Sequence, residues 1–274
     1  MEISASTALC GILLHPAGHT RSPAMHNAAY AALSLDAVYV ACDVAPDDLP
    51  GALRGALALG FRQLAISLPH KEAVIPLLDQ VTDTARRIGA VNTLTRRGDG
   101  WLGDNTDWIG IVRALERETP LDGRQAVILG AGGTAHAAAF ALRERGAHVT
   151  ILNRTPARAQ ALADDLGAVA GGSLRELERL PYDVLVNTTS VGMRTDESPV
   201  PATHLRPGSV VLDAVYDPAE TRLLRAAAER GARPVGGKWM LVEQALEQIR
   251  LWTGKEVPAQ VLERAFDAAG RQAP

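Results

Sequence analysis

Residues 127–154 constrain this chain more than any other stretch. Val127-Ile128-Leu129 is followed by Gly130-Ala131-Gly132-Gly133, a helical run of small residues from Thr134 to Arg145, the apolar run His148 to Leu152, and then Asn153-Arg154-Thr155. Strand, glycine-rich turn, helix and strand is the order that a dinucleotide-binding unit needs. Glycines at 130, 132 and 133 let the backbone turn sharply and approach a pyrophosphate closely, and the free N–H groups opening the next helix face its negative charge. Ala131 and Thr134 complete that turn, and Ala135, Ala137, Ala138 and Ala139 keep the helix slim against a sheet.

The end of the second strand says which dinucleotide. NAD-binding units place Asp or Glu about 20 residues beyond the glycine turn, where it accepts from the ribose 2′-hydroxyl. Here Asn153-Arg154-Thr155 holds that place and Arg158 follows. A carboxylate repels a 2′-phosphate, whereas a guanidinium binds one through parallel charge-assisted hydrogen bonds. The expected cofactor is therefore NADP(H).

The chain has 274 residues, 47% of them hydrophobic, enough for one large domain or two modest ones. A formal net charge of -3 with no block of like charge gives no footprint for nucleic acid. The amino terminus lacks a basic region before its short apolar run, and no apolar run is long enough to span a bilayer. Cys10 and Cys42 are isolated and read as core residues of a cytoplasmic protein.

Apolar runs alternate with helical patterns before the glycine turn. Strands are expected at Leu9 to Leu14, Val38 to Cys42, Gln63 to Ser67 and Val91 to Thr95, and a turn at Arg97 to Gly100 leads into Trp101 to Gly103. Helices are expected from Ser22-Pro23, with Ser22 as N-cap, over Asp47 to Leu59, from Lys71-Glu72, and through Arg86. After the glycine turn come a helix to Leu166 and strands at Ala168 to Ala170, Val184 to Asn187, Val210 to Asp213 and Arg233 to Val235. The expected fold is α/β in two domains: an N-terminal substrate domain with a mainly parallel sheet, residues 1–106 plus 238–274, and a Rossmann-like NADP-binding domain, residues 107–237. The C-terminal helices, Met240 to Thr253 and Pro258 to Ala269, are expected to pack back on the first domain.

A substrate is expected in a cleft beside the nicotinamide. Lys71, Asn92, Asp107, Ser22 and Thr20 fall at strand ends or domain joins, where open sheets bind ligands. His15, His19, His26, His70 and His136 give no metal-ligand spacing and read as loop, capping or packing residues, so no metal is expected.

The ordered runs His15-Pro16, His19-Thr20-Arg21-Ser22-Pro23, Met25-His26-Asn27, Pro69-His70-Lys71-Glu72, Gly89 to Thr93, Asp104 to Asp107, the Gly130 turn, Asn153-Arg154-Thr155, Asn187 to Met193 and Met240-Leu241-Val242 with Gln244 make the chain resemble the shikimate dehydrogenase family nearly end to end. The resemblance implies reversible reduction of 3-dehydroshikimate by NADPH on the route to aromatic amino acids. It implies Lys71 and Asp107 as the catalytic pair, Thr20 and Ser22 on the substrate carboxylate, and Ser67, Asn92, Tyr216 and Gln244 around the ring hydroxyls. Gly237 and Met240 match positions beside the nicotinamide, Ala214 lies in a stretch that lines it, and Asp83 matches an acidic position near the cofactor. Oligomeric state, monomer or homodimer, stays open.

The chain departs from the family pattern in places. Thr20 stands for a common Ser, Ala65 for Asn, Ser67 for Thr, Trp108 for a frequent Gly, Trp239 for a small residue near the nicotinamide, and His136 near a common Arg. A buried group left unpaired by the lost Asn would cost roughly 1 to 3 kcal/mol. Two other functions stay in view: a quinate or mixed-specificity dehydrogenase, and a non-catalytic NADP-binding regulator. Keeping both Lys71 and Asp107 argues against the regulator.

Overall fold

Two sheets organise the chain in a computed structural model that describes residues 3–166 and 170–271. It divides into two units, Met1–Thr106 with Val242–Pro274, and Asp107–Leu241. The first unit begins β1 (Ala8–Leu14), α1 (Ser22–Ala32), β2 (Ala37–Asp43), α2 (Leu49–Ala58), β3 (Gln63–Ile66), β4 (Gln80–Val81), α3 (Asp83–Ile88), β5 (Thr93–Arg97) and β6 (Gly100–Asp104). Among the described residues its sheet has the order β2-β1-β3-β5-β6-β4. The β1–β2, β1–β3 and β4–β6 pairs are parallel, while β5 is antiparallel to both β3 and β6. One strand of six thus runs backwards, because the turn after Arg97 returns the chain directly as β6, without the crossover a parallel neighbour requires. Leu13, Leu53, Leu64, Ile66, Leu94 and Trp101 meet in the core beneath.

The second unit contains α4 (Asp107–Glu116), β7 (Gln125–Leu129), α5 (Gly133–Glu144), β8 (His148–Asn153), α6 (Pro156–Leu166), β9 (Ala170–Ser173), β10 (Val184–Asn187), β11 (Val210–Asp213), α7 (Arg222–Glu229), β12 (Arg233–Gly236) and the opening of α8 (Gly237–Thr253). Its strands lie in the order β12-β11-β10-β7-β8-β9, every pair parallel. That is the doubly wound arrangement, whose strand order reverses between β7 and β10 and leaves a crevice outside the carboxyl ends there. β10 and β11 are buried along their whole length, as central strands covered on both faces must be. Ala135, Ala137, Ala138, Ala139 and Ala141 are all fully buried, so α5 does lie close against its sheet.

α8 leaves the second unit at Val242, and with α9 (Ala259–Gly270) it completes the first. The C-terminal helices therefore pack back as expected: α9 lies on α1, and the Arg21 guanidinium sits 4.4 Å from the Phe266 ring centre. No helix among the described residues is long and apolar enough to cross a membrane.

Four local expectations need correction or restriction. Ser22 is the first residue of α1 and not its cap; Arg21 holds the cap position, and the Thr20 hydroxyl covers the helix start by accepting from the Ser22 N–H at 3.3 Å. Lys71-Glu72 opens a run of turns ending in a 3-10 helix, Ile75–Leu77, and not an α-helix. Pro76 lacks the N–H that an α-helix would bond to the Glu72 carbonyl. The helix expected from Asp47 is a 3-10 turn, Pro46–Asp48, followed by α2, which starts beside Pro50. Of the strand expected at Ala168 to Ala170, residues 168 and 169 lie outside the described residues, and β9 starts at Ala170.

Candidate active site

In the first unit the expected substrate residues gather at one edge of the sheet. β1 and β3 end there, β5 begins there, and β6 delivers Asp104, Asn105 and Thr106 to the same edge. Backbone bonds tie the loops together: Ser67 N–H to Leu13 C=O at 3.0 Å, His15 N–H to Leu68 C=O at 2.9 Å, and Val91 N–H to Lys71 C=O at 2.8 Å. Half-buried Lys71 is thereby fixed next to the strand that carries Asn92.

Asn92 is 2% exposed and centres a polar cluster. Its Oδ1 accepts from the Thr106 N–H at 2.8 Å and the Thr93 hydroxyl at 2.7 Å. Its Nδ2 donates to Thr106 Oγ1 at 3.1 Å and to Gln244 Oε1 at 3.3 Å. Gln248, one turn beyond Gln244 on α8, donates to Thr93 Oγ1 at 2.9 Å. Sequence reasoning assigns no role to Thr93, Thr106 or Gln248; the i, i+4 spacing of the two glutamines on one helix face is the available signal.

Three hydroxyls on this edge have uncommitted protons. Ser22 is 3% exposed, and neither its hydroxyl nor that of Ser67 bonds to another described residue, while Thr20 Oγ1 accepts a bond and gives its own proton to no described residue. A nearly buried hydroxyl with nothing to donate to is costly unless a ligand takes the bond. Thr93, the register partner of Ala65 on β5, is fully bonded, while the buried Gln63 Oε1, two residues earlier on the same face of β3, has no hydrogen-bond partner among the described residues.

In the second unit the glycine turn fits a dinucleotide. Gly130 has φ +116, and a Cβ there would lie 2.5 Å from Thr188 Oγ1, so neither the conformation nor the space admits a side chain. Gly132 caps α5, Ala131 precedes the cap, and Gly133 and Thr134 open the helix. Arg158 Nη2 reaches back to the Ala131 carbonyl at 3.4 Å, and Asn153 Nδ2 donates to the Thr155 carbonyl at 3.1 Å. Arg154 is exposed at the end of β8 with no carboxylate partner among the described residues. An acidic residue that would repel a 2′-phosphate is absent from this strand end.

A buried network missed by sequence reasoning shapes the adjoining loops. Asp213, fully buried at the end of β11, accepts from Thr221 Oγ1 at 2.7 Å, Asn187 Nδ2 at 2.9 Å and the Val215 N–H at 3.0 Å. Burial pushes its carboxyl up to about 6, against the opposing pull of those three donors. Asn187 Oδ1 in turn accepts from the Thr189 N–H and hydroxyl at 3.0 and 2.7 Å. Asp213 directly precedes Ala214, and Gly237 packs under the same segment, where a Cβ would meet the carbonyls of Asp213, Ala214 and Val215 at 2.7 to 2.8 Å. Half-buried Tyr216 follows, and Met240 is 7% exposed in the first turn of α8.

The remaining expectations divide. Asp107 is 4% exposed at the first position of α4. Asp83 is exposed at the start of α3 in the first unit, where the helix dipole accounts for it. Trp108 packs edge-on against Phe140 with ring centres 5.6 Å apart, and Trp239 lies 4.0 Å from the Arg117 guanidinium. His70 is buried and bonds through Nε2 to the Val44 carbonyl, and His26 is stacked on Tyr39, both packing roles. Cys10 is buried, its thiol pushed up to about 11 by burial.

A family model described as the shikimate dehydrogenase substrate binding domain matches residues 12–94, one described as shikimate / quinate 5-dehydrogenase matches residues 113–194, and one for the shikimate 5′-dehydrogenase C-terminal domain matches residues 237–265. An NADP(+) shikimate dehydrogenase of Natronomonas pharaonis is 48% identical over 93% of this chain and 97% of its own. The shikimate 5-dehydrogenase of Thermus thermophilus, solved with NADP(H) and shikimate, is 40% identical with a TM-score of 0.90, covering 96% of this chain and all of its own. A quinate dehydrogenase of Corynebacterium glutamicum, solved with NAD, is 35% identical with a TM-score of 0.87, covering 96% of this chain and 99% of its own.

Proposed function

The chain belongs to the shikimate dehydrogenase family, and from that premise we propose which of its residues carry out the NADPH-dependent, reversible reduction of 3-dehydroshikimate. The observation that carries the assignment is the edge of the first sheet, where three uncommitted hydroxyls stand beside Lys71 and the Asn92 cluster. Thr20 and Ser22 donate to the substrate carboxylate. Ser67, Asn92, Gln244 and Tyr216 bind the ring hydroxyls, which suits hydroxyls and amides able both to donate and to accept.

NADPH supplies the hydride when bound. The Lys71 ammonium stabilises the charge that develops on the carbonyl oxygen and supplies its proton. Asp107 orients Lys71 and accepts from a substrate hydroxyl. Gly130 to Thr134 cradle the pyrophosphate, Arg154 and Arg158 with Asn153 and Thr155 bind the 2′-phosphate end, and Ala214, Gly237 and Met240 line the nicotinamide. Asp83 is assigned to the cofactor's neighbourhood by family resemblance alone. We place the enzyme in the cytoplasm.

Steady-state assays with shikimate or quinate, and NADP+ or NAD+, test the whole reading. Highest kcat/KM is expected for shikimate with NADP+; a preference for quinate would move the substrate assignment within the family. Arg154→Ala is expected to raise KM for NADP+ about tenfold, roughly one charge-assisted hydrogen bond. NAD+ should be little affected, and an equal loss for both cofactors would remove the 2′-phosphate role.

Asp213 acts as a positioning residue for the nicotinamide loop. Asp213→Asn is expected to raise KM for NADP+ several-fold and lower kcat, with shikimate affinity measured by calorimetry unchanged. A purely structural role would lower the melting temperature alone and leave both constants of the folded enzyme intact.

A further inference from the structure

Gln248 is 1% exposed on α8 and lies one step behind the groups assigned to the substrate. Burying an amide forfeits its bonds to water, and that cost is offset only by bonds made inside. Gln248 makes them to the segment that carries Asn92: its Nε2 donates to the Asn92 carbonyl at 3.3 Å and to Thr93 Oγ1 at 2.9 Å. The Gln248 carbonyl accepts from Gln63 Nε2 at 2.6 Å, which ties this turn of α8 to β3 as well.

Two backbone groups fix the direction of the side-chain bonds between them. A carbonyl can only accept, so the Asn92 carbonyl turns the Gln248 amide with its nitrogen inward. An N–H can only donate, so the Thr106 N–H, 2.8 Å from Asn92 Oδ1, holds the Asn92 amide oxygen toward the cluster. The Thr93 hydroxyl stands between the two amides, accepting from Gln248 and donating to Asn92 Oδ1 at 2.7 Å. With Oδ1 engaged by both donors, Asn92 Nδ2 faces Thr106 Oγ1 at 3.1 Å and Gln244 Oε1 at 3.3 Å.

We propose that Gln248 is a positioning residue for the substrate: acting through the Thr93 hydroxyl, it holds the Asn92 amide in the orientation that meets a ring hydroxyl. This inference rests on the reading that Asn92 binds such a hydroxyl. The direction of the bonds makes it testable. A glutamate at 248 keeps the shape of the side chain but turns an acceptor toward Thr93, which draws the hydroxyl proton away from Asn92. A methionine fills a similar volume, removes the donor and leaves that proton where it is.

Steady-state oxidation of shikimate at saturating NADP+ is the test. Asn92 meets the ring hydroxyl before and during reaction alike, so a misplaced amide should raise KM for shikimate and leave kcat nearly unchanged. Gln248→Met is expected to raise that KM about threefold, roughly one hydrogen bond, and Gln248→Glu about tenfold. In a Thr93→Val background either substitution should raise it less than twofold further, because the hydroxyl that carries the effect is gone. Gln248→Met carries the test where the glutamate variant is too unstable to assay. A lower Tm with KM unchanged in the single variants would overturn the positioning role, leaving Gln248 a packing residue. The same fold-change with and without the Thr93 hydroxyl would overturn the route through Thr93. Asn92→Ala separates the inference from its premise. If that variant raises KM at least tenfold while the Gln248 variants do not, only the positioning role fails; if it leaves KM unchanged, the ring-hydroxyl reading of Asn92 fails and the role of Gln248 falls with it.

Discussion

Lys71→Ala is expected to lower kcat about 10³-fold, near 4 kcal/mol of transition-state stabilisation, while KM for shikimate and the affinity for NADPH change little. The split follows from where the residue sits. On the proposed assignment, substrate binding rests on the hydroxyls of Thr20, Ser22 and Ser67, the amides of Asn92 and Gln244, and Tyr216, and the glycine turn and Arg154 that would hold the dinucleotide belong to the second unit. On the proposed assignment, Lys71 adds a compact positive charge with three donors at the oxygen where charge appears only during reaction. Removing an interaction made only in the transition state lowers kcat and kcat/KM together. Lys71→Arg sharpens the test, since it keeps the charge but spreads it over a planar group that cannot release its proton. Partial activity is expected if charge stabilisation dominates, and none if proton donation does. Turnover of Lys71→Ala near the wild type would sink the catalytic assignment.

The parts of this molecule that sequence reveals are those set by local chemistry. The glycine turn, the alanine face of α5 and the arginine at the end of β8 each follow from one residue meeting one steric or electrostatic demand. Most strand positions in both sheets are readable from apolar runs within a residue or two, but the two-residue β4 has no apolar run to announce it, and β9 extends three residues past the strand expected at Ala170. The turn at Gly98 points to β6, but not to β5 running against its sheet, since strand direction is settled by partners far away in sequence. The Asp213 network is illegible for a similar reason. Asn187 and Asp213 look like ordinary polar ends of two apolar strands, and Thr221 like a loop residue, until β10 and β11 pair and bring them together. Lys71 shows a third kind of miss, in which the residue stands out in the sequence but on an expected α-helix that Pro76 does not allow.

His26→Leu is expected to make the first unit more acid-resistant than the wild type. His26 is fully buried on α1, its ring stacked 4.0 Å over Tyr39 and edge-on to Tyr30, and neither ring nitrogen has a hydrogen-bond partner among the described residues. Burial holds its pKa down from 6.5 to about 3, offset only in part by the nearby Gln248 side chain. The unfolded chain therefore binds a proton that the folded chain refuses between those values. Stability from this group is complete above about pH 6.5 and is lost as pH falls toward 3, by about 2 kcal/mol at pH 5 and near 5 kcal/mol over the whole window. Asp213 works in the opposite sense in the second unit: its carboxyl is raised from 3.8 to about 6, so that unit gains stability as pH falls through the same range. Acid should loosen the first unit first. Urea unfolding followed by hydrogen exchange at pH 7 and pH 5 would check this, because exchange assigns each midpoint to its unit. At pH 7 the leucine variant should lie close to the wild type, since it replaces two unsatisfied nitrogens with apolar atoms of similar volume. At pH 5 it should be the more stable protein, and a wild-type pH slope that survives the substitution would show that His26 is not the group responsible.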